Sequence, residues 1–139
     1  MELGKTLSPD DYELRGENIW VAKSAKLYPN IYIAGPAIIG PNTEVRPGAF
    51  IRGNALIGAG CVVGNSTEIK NAILFDGAQA PHYNYIGDSI LGYKAHTAPA
   101  RSPRTSSRTT RRSRSRGRRA RRDLDAQVGA MLGDGVEVA

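Results

Sequence analysis

A six-residue spacing between aliphatic side chains constrains this sequence more than any other feature. The spacing holds without a slip over nine positions, namely Val21, Leu27, Ile33, Ile39, Val45, Ile51, Ile57, Val63 and Ile69. A helix of 3.6 residues per turn would scatter these side chains over its whole surface, which rules out a helical interpretation. The period instead predicts a solenoid whose short strands each point one aliphatic side chain inward.

A second column, four residues after the first, holds mostly small side chains: Ala25, Ile31, Ala37, Thr43, Ala49, Ala55, Cys61, Thr67 and Ile73. Gly or Asn often stands just before it and tolerates the backbone angles of a tight corner. Three such sides make one coil of a triangular prism, and coils stack at the strand spacing of about 4.8 Å. We therefore expect an all-β fold, a single-stranded left-handed parallel β-helix of hexapeptide repeats with about four coils.

The repeat becomes irregular after Ile69. Two units are one residue short, those starting at Ile69 and Ile86, and the intervening units start at Leu74 and Ala80. Leu91 then starts another unit. Because irregular corners re-aim side chains, residues 70–96 are the expected location of a functional site.

The charge separates the chain into segments. Residues 1–97 carry eight Lys and Arg against nine Asp and Glu, whereas residues 98–122 carry eleven Arg and no acid. Basicity therefore belongs to one segment and not to the repeat. The expected organisation is an N-terminal extension (1–18), the β-helix (19–97), a disordered Arg/Ser-rich segment (98–122) and a remnant of repeat-like sequence (123–139).

Four polar residues in or near the irregular stretch are candidates for chemistry: Arg46, Lys70, His82 and Tyr85. Taken singly, each has an ordinary structural explanation as a solvated charge, a turn residue or a packing residue. Lys70 and His82 are twelve residues apart, which places them on nearby coils. Cations suit a sugar phosphate, an imidazole suits removal of a proton, and a phenol suits orientation by hydrogen bond. Cys61 falls in the small-residue column, where a core role is expected.

The run VRPGAFIRGNALIGAGCVVGNSTEIKNAILFDGAQAPHYNYIGDSILG resembles the acetyltransferase domain of bifunctional N-acetylglucosamine-1-phosphate uridylyltransferase and glucosamine-1-phosphate acetyltransferase. It is also similar to stand-alone β-helix proteins of the sugar-phosphate nucleotidylyltransferase type. The resemblance covers roughly residues 18–97 and GAMLGDGVEV near the end. It implies a transferase of UDP-N-acetylglucosamine biosynthesis, a sugar phosphate such as glucosamine 1-phosphate as partner, and acetyl-CoA as co-substrate.

Carried over by position, the resemblance implies that Arg46 and Lys70 hold the phosphate, that His82 is the general base, and that Tyr85 orients the sugar phosphate. His96 stands where the bifunctional enzymes have Asn, so it is a substrate-binding candidate that bears on sugar or acyl preference. The resemblance also implies a homotrimer with sites between neighbouring subunits. The uridylyltransferase half has no counterpart here. Two His residues are too few for the three-His zinc site that another enzyme on this scaffold needs, so no metal is expected.

The Arg/Ser segment has two interpretations. As it stands, it is a basic tail able to bind RNA by charge. Alternatively, the similar family sequence GAGAITSNVKSD, written in GC-rich codons and read one base later, yields Ala98 to Thr109 in order. This agreement suggests a frameshift over 98–122, with the frame restored before Gly129 and an early end at Ala139.

Two functional hypotheses therefore remain open at this point. The first is a hexapeptide-repeat acyltransferase-like protein whose activity in this form is undecided. The second is a non-catalytic oligomerising β-helix with an RNA-binding tail. A single Cys and a polar start without an apolar run favour a cytoplasmic protein that has no membrane segment.

Overall fold

The computed structural model describes residues 2–97 and 131–138. A 3-10 helix, Glu2–Thr6, precedes strands numbered here in chain order, and the strands form three sheets. Sheet A contains β1 (Tyr12–Gly16), β2 (Ile19–Ala22), β5 (Ala37–Ile39), β8 (Ala55–Ile57), β11 (Ala72–Leu74), β14 (Ile90–Leu91) and β16 (Met131–Leu132). Sheet B contains β3 (Lys26–Leu27), β6 (Glu44–Val45), β9 (Val62–Asn65), β12 (Gln79–His82), β15 (His96–Thr97) and β17 (Glu137–Val138). Sheet C contains β4 (Tyr32–Ile33), β7 (Phe50–Ile51), β10 (Glu68–Lys70) and β13 (Tyr85–Gly87).

From β2 to β15 the chain visits sheets A, B and C in turn, which confirms the predicted parallel β-helix. From β2 to β12, each strand pairs in parallel with the strand three elements later, as where Val45 lies opposite Val63 and Ile51 lies opposite Ile69. Aliphatic residues of successive coils therefore stack on one another inside the prism. None of the helices in the described ranges is long and apolar enough to span a membrane.

The core follows the predicted inward column, including its two slips. Ile39, Ile51, Ile69 and other members of the uninterrupted column are fully buried, and the units after the slips bury Leu74, Ala80, Ile86 and Leu91. The small-residue column is equally enclosed from Ala37 to Thr67.

Ile73 is the exception to the second column. The unit that starts at Ile69 is one residue short, so Ala72 takes the enclosed corner place opposite Ala55. Ile73 moves to the outer face of sheet A, where it is 36% exposed. The prediction that placed it in the small-residue column is wrong for that reason.

The corner between sheets C and A explains the shortened units. In the full-length unit that starts at Ile51 both Gly53 and Asn54 have positive φ, whereas the shortened units turn with Asn71 or Asp88 alone. A single residue in the left-handed backbone conformation therefore closes each shortened corner, where the full-length corner uses two. The amide of Asn54 donates to Asn71 at 2.8 Å, and Asn71 donates to Asp88 at 3.0 Å, so these corner side chains form a continuous ladder.

The N-terminal residues cover one end of sheet A. β1 pairs antiparallel with β2, and Gly4 of the 3-10 helix lies directly against the Trp20 ring. An apolar column runs along the outer face of this sheet in the order Trp20, Ile38, Leu56, Ile73, Ile90 and Met131. Ile38 in this column is only 4% exposed, whereas Ile73 is 36% and Met131 is 72% exposed.

Residues 131–138 continue the β-helix beyond β15. Leu91 lies opposite Leu132, and Thr97 lies opposite Val138. The backbone N–H of Tyr93 also donates to the Asp134 carboxylate at 2.8 Å. The predicted Arg/Ser segment (98–122) and its frameshift lie outside the described residues.

Candidate functional site

The outer face of sheet C carries an exposed column of aromatic and acidic side chains. Phe50, Glu68 and Tyr85 lie opposite one another on successive coils, and Tyr32 precedes them. The Tyr32 and Phe50 rings approach to 5.2 Å between centroids. Because Ile51, Ile69 and Ile86 next to them point into the core, the column must face outward.

A second outward column, two residues further along each strand, contains two cations. Lys70 lies opposite Gly87 on the next coil. On the preceding coil Arg52 follows Ile51, and its backbone N–H donates to the Ile69 carbonyl at 2.8 Å. Arg52 and Lys70 are therefore neighbours on one ladder, about 4.8 Å apart at the backbone.

Gly87 brings the Tyr85 phenol into this second column. A Cβ added at Gly87 would collide with the hydroxyl and the adjacent ring atoms of Tyr85, so the ring lies over the bare Cα. The phenol thus occupies the side-chain space next to Lys70. Arg52, Lys70 and the Tyr85 hydroxyl form a row of hydrogen-bond donors, called here the donor row.

Glu68 holds one end of the donor row. Its carboxylate accepts a hydrogen bond from the Arg52 guanidinium at 2.7 Å, and the guanidinium lies 5.7 Å from the Phe50 ring centroid. The hydrogen bond and negative charge of Glu68, with a smaller contribution from Tyr85, raise the pKa of Arg52. Among the described residues, no hydrogen bond or ion pair engages the Lys70 ammonium.

His82 lies at the corner between sheets B and C, at the end of β12. It is half-buried, pairs with Asn65 on the preceding coil, and receives at its carbonyl a 3.0 Å hydrogen bond from the Asn84 amide. Tyr83 turns the corner with φ of 49° and meets the imidazole edge-on at 6.1 Å. Neither imidazole nitrogen forms a hydrogen bond with another residue in the described ranges, so both can bind a ligand.

The close approach of Pro81 to Gly64 sets the backbone at this corner. A Cβ at Gly64 would fall on the Pro81 carbonyl, so only glycine allows the two coils to stack here. The residue that follows Pro81 is His82, and its position depends on that contact.

Arg46 lies at the same corner, two coils before His82. It follows β6, and its guanidinium pairs with Glu44 at 3.4 Å. Two coil spacings separate the Arg46 and His82 backbones by about 10 Å along the solenoid axis.

His96 lies on sheet B with His82, but at the opposite end of the strands. It pairs with Gln79 at the start of β12 and with Glu137 on the next coil. His82 is three residues further along the strand than Gln79, which corresponds to about 10 Å of extended chain.

The five predicted residues therefore fall into three places. Lys70 and Tyr85 share the donor row, Arg46 and His82 share the corner between sheets B and C, and His96 lies apart. No hydrogen bond or ion pair between residues of 2–97 and 131–138 joins any two of the five. Sequence reasoning missed Arg52, although its distance of one full coil, 18 residues, from Lys70 was the available signal.

The donor row offers the chemistry of an anion site, and the corner between sheets B and C offers a proton acceptor. Two cations and a phenol match the oxygens of a phosphate monoester. An imidazole, such as that of His82 at the corner between sheets B and C, can accept a proton from an amine or hydroxyl that attacks a carbonyl carbon.

Two other features of the chain do not belong to this surface. A cavity of about 490 Å³ on the outer face of sheet A lies under Leu3, Leu7 and Tyr12, and it contains none of the five predicted residues. Cys61 is fully buried, and burial raises the pKa of its thiol, which agrees with a core role.

The fold and the six-residue period define a hexapeptide-repeat β-helix protein. Residues 33–102, just over half of the chain, match the family described as the GMPPB C-terminal domain, and the chain belongs to this family. All five predicted site residues lie inside the matched range.

Curated relatives named bifunctional protein GlmU also match. The protein from Stutzerimonas stutzeri is 35% identical over 98 residues, which cover 67% of this chain and 21% of the relative. The protein from Thermodesulfovibrio yellowstonii is 26% identical over 126 residues, which cover 66% of this chain and 28% of the relative. The chain thus spans less than a third of the length of these relatives. These matches confirm the resemblance drawn from the sequence.

Proposed function

We propose that this β-helix is the acceptor-binding part of a hexapeptide-repeat acyltransferase of sugar-nucleotide biosynthesis. The observation that carries the proposal is the unengaged His82 imidazole at the corner that precedes sheet C, the sheet whose far strand ends carry the donor row. The acceptor is a sugar phosphate such as glucosamine 1-phosphate. Its phosphate binds Lys70 and Tyr85, and Arg46 contributes positive charge at the corner.

In this mechanism His82 accepts a proton from the sugar amine as that amine attacks the carbonyl carbon of the thioester. The C–N bond forms, the C–S bond breaks, and the proton held by His82 passes to the departing thiolate, which leaves as free thiol. An imidazole suits this task because it can both accept and release a proton under physiological conditions. Acetyl-CoA supplies the acetyl thioester when bound. The described residues provide the acceptor side of the reaction, and we assign none of them to the co-substrate.

The exposed aromatic column on sheet C supports a homotrimer in which this face meets a neighbouring subunit. Tyr32, at one end of this column, is 57% exposed, Phe50 next to it is 40% exposed, and Tyr85 at the other end is 63% exposed, an unusual amount of open aromatic surface for one ladder. A second subunit would cover this surface and bring its own residues, His96 among them, to the site. We place the protein in the cytoplasm, where its sugar phosphate and acetyl-CoA would be found.

Release of free thiol from acetyl-CoA in the presence of glucosamine 1-phosphate tests the proposal. We expect His82→Ala to lower kcat at least 100-fold, because a positioned base contributes about 10²- to 10⁴-fold. Gln79→Ala, an exposed position on the same strand, is the matched control and should leave the rate unchanged. Equal rates for wild type and His82→Ala would refute the role of His82.

The same preparation tests the alternative of a structural β-helix with an RNA-binding tail. That alternative predicts no thiol release and an RNA affinity that falls steeply with salt and disappears when residues 98–122 are deleted. Light scattering of the full chain tests assembly. A monomer with full transferase activity would contradict the shared site.

A further inference from the structure

The cavity on the outer face of sheet A, called here the sheet A cavity, combines an apolar lining with one carboxylate. We propose that it is a binding site for a small amphiphilic amine, whose apolar body fills the cavity and whose ammonium group pairs with Asp76. The cavity and the donor row lie on different faces of the prism, so this inference goes beyond the proposed sugar-phosphate chemistry.

The lining of the sheet A cavity suits an apolar ligand. Its floor is the outward column of sheet A, in which Ile38, Leu56 and Ile73 lie opposite one another on successive coils. Leu3 and Leu7 of the N-terminal segment lie over this floor. The volume of about 490 Å³ falls within the range of about 300 to 1,000 Å³ that is usual for small-molecule sites, which are mostly apolar.

Three residues around the sheet A cavity are open to solvent. Leu3 is 50% exposed, Ile73 is 36% exposed and Phe75 is 53% exposed. A ligand can therefore reach the cavity while the N-terminal segment stays in place. Burial of this exposed apolar surface favours binding of an apolar body.

The Asp76 carboxylate is held at the wall of the cavity. A Cβ added at Gly58 on the preceding coil would collide with this carboxylate, which therefore lies over a bare Cα. The backbone N–H of Ala59 donates to its Oδ1 at 2.8 Å and fixes its position. No hydrogen bond or ion pair with another residue of 2–97 or 131–138 engages Oδ2, so this oxygen can accept from a ligand.

The charge around the cavity favours a cation. Tyr12 also lines the cavity, and burial together with the negative charges of Asp11 and Asp76 raises the pKa of its phenol. The Tyr12 hydroxyl thus lies in a negative potential, which attracts an ammonium group and repels a carboxylate. The Lys94 ammonium lies 5.1 Å from the Tyr93 ring centroid and forms no ion pair with Asp76.

Three probes that share one apolar body and differ in charge test the proposal on the full chain: phenylbutylamine, phenylbutanol and phenylbutyrate. We expect the amine to bind about fivefold more tightly than the alcohol, as a partly exposed ion pair allows, and the carboxylate to bind most weakly. Trp20 fluorescence can follow binding, because Gly4 in the segment that covers the cavity lies against the Trp20 ring. Equilibrium dialysis measures the same affinities without relying on Trp20.

Removal of the Asp76 charge should remove the selectivity. Asp76→Asn should bind the amine and the alcohol equally, with the affinity for the alcohol unchanged, because Asn keeps the oxygen that accepts from Ala59 and loses the charge. Asp134→Asn is the matched control and should keep the full preference. Asp134 accepts the Tyr93 N–H at 2.8 Å at the equivalent corner of a later coil, and it does not line the cavity.

Ala59→Leu adds bulk to the lining and should weaken binding of all three probes. Equal urea midpoints for Asp76→Asn and Asp134→Asn would show that both variants fold alike. Equal affinities for the three probes, a preference that survives Asp76→Asn, or a preference lost in Asp134→Asn would overturn the assignment of an amine. A wild-type chain that binds none of the probes, and that self-associates unless Ala59 is replaced by Leu, would overturn it in favour of a second copy as the occupant.

Discussion

Two isoleucines on neighbouring strands, one pointing inward and one pointing outward, allow a direct test of how the prism is stabilised. Ile69 on β10 is 0% exposed and points into the core, whereas Ile73 on β11 is 36% exposed on the outer face of sheet A. Substitution by alanine removes the same three carbon atoms at both sites. Only the environment of the side chain differs.

The expected cost follows from that environment. At about 0.8 kcal/mol for each buried carbon, Ile69→Ala loses about 2.4 kcal/mol of transfer free energy. The enclosed cavity it leaves raises the total to about 3 to 4 kcal/mol. Ile73→Ala loses about two thirds of the transfer term and leaves no enclosed cavity, so about 1 to 1.5 kcal/mol is expected.

Equilibrium unfolding in urea measures the difference. Far-UV circular dichroism reports the whole β-helix, and fluorescence of the single tryptophan, Trp20, reports the first coil. Coincident transitions from the two probes would license a two-state free energy, a necessary check because solenoids can lose cooperativity along their length. An Ile73→Ala variant as destabilised as Ile69→Ala would refute the assignment of inward and outward faces.

Further predictions concern Gly64 and Cys61. Gly64→Ala should shift the urea midpoint much further than Gly133→Ala, since a new Cβ meets the Pro81 carbonyl at the first site and makes only an ordinary contact with Val136, at 3.8 Å, at the second. Equal shifts would refute the close approach. The Cys61 thiol should react with a disulfide reagent only when urea unfolds the chain, and rapid reaction of the native protein would contradict its burial. Burial raises the pKa of this thiol in the folded state, so the unfolded chain releases its proton first and stability should fall as pH rises above 9.0. Cys61→Ala should show a smaller fall over the same range, as measured by urea midpoints, and identical pH dependence would contradict that cause.

The repeat could be predicted from the sequence because each strand contributes one enclosed aliphatic residue at a fixed interval. The two slips were also readable, since Leu74 and Leu91 resume the column one residue early. The place of Ile73 could not be predicted in this way. Counting six residues across a shortened unit puts Ile73 at the corner place that Ala72 occupies. That corner turns on Asn71 alone.

The site was harder to predict than the fold. Motif and position pointed to Lys70 and Tyr85. The direction of the Tyr85 ring depends on the missing side chain of Gly87, however, and the spacing of residues in the sequence does not reveal it. Arg52 escaped notice because it belongs to a different motif from Lys70, although a coil of 18 residues separates them. Nothing in the sequence indicated that His82 and His96, both named as site residues, lie at opposite ends of the sheet B strands.

Direct identification of the product by mass spectrometry tests the central proposal most plainly. Incubation of the full chain with acetyl-CoA and glucosamine 1-phosphate should yield a sugar phosphate heavier by one acetyl group. The rate of product formation should be much lower for the His82→Gln variant. Unchanged sugar phosphate with the wild-type chain, or equal product from the His82→Gln variant, would contradict a transferase that uses His82 as its base.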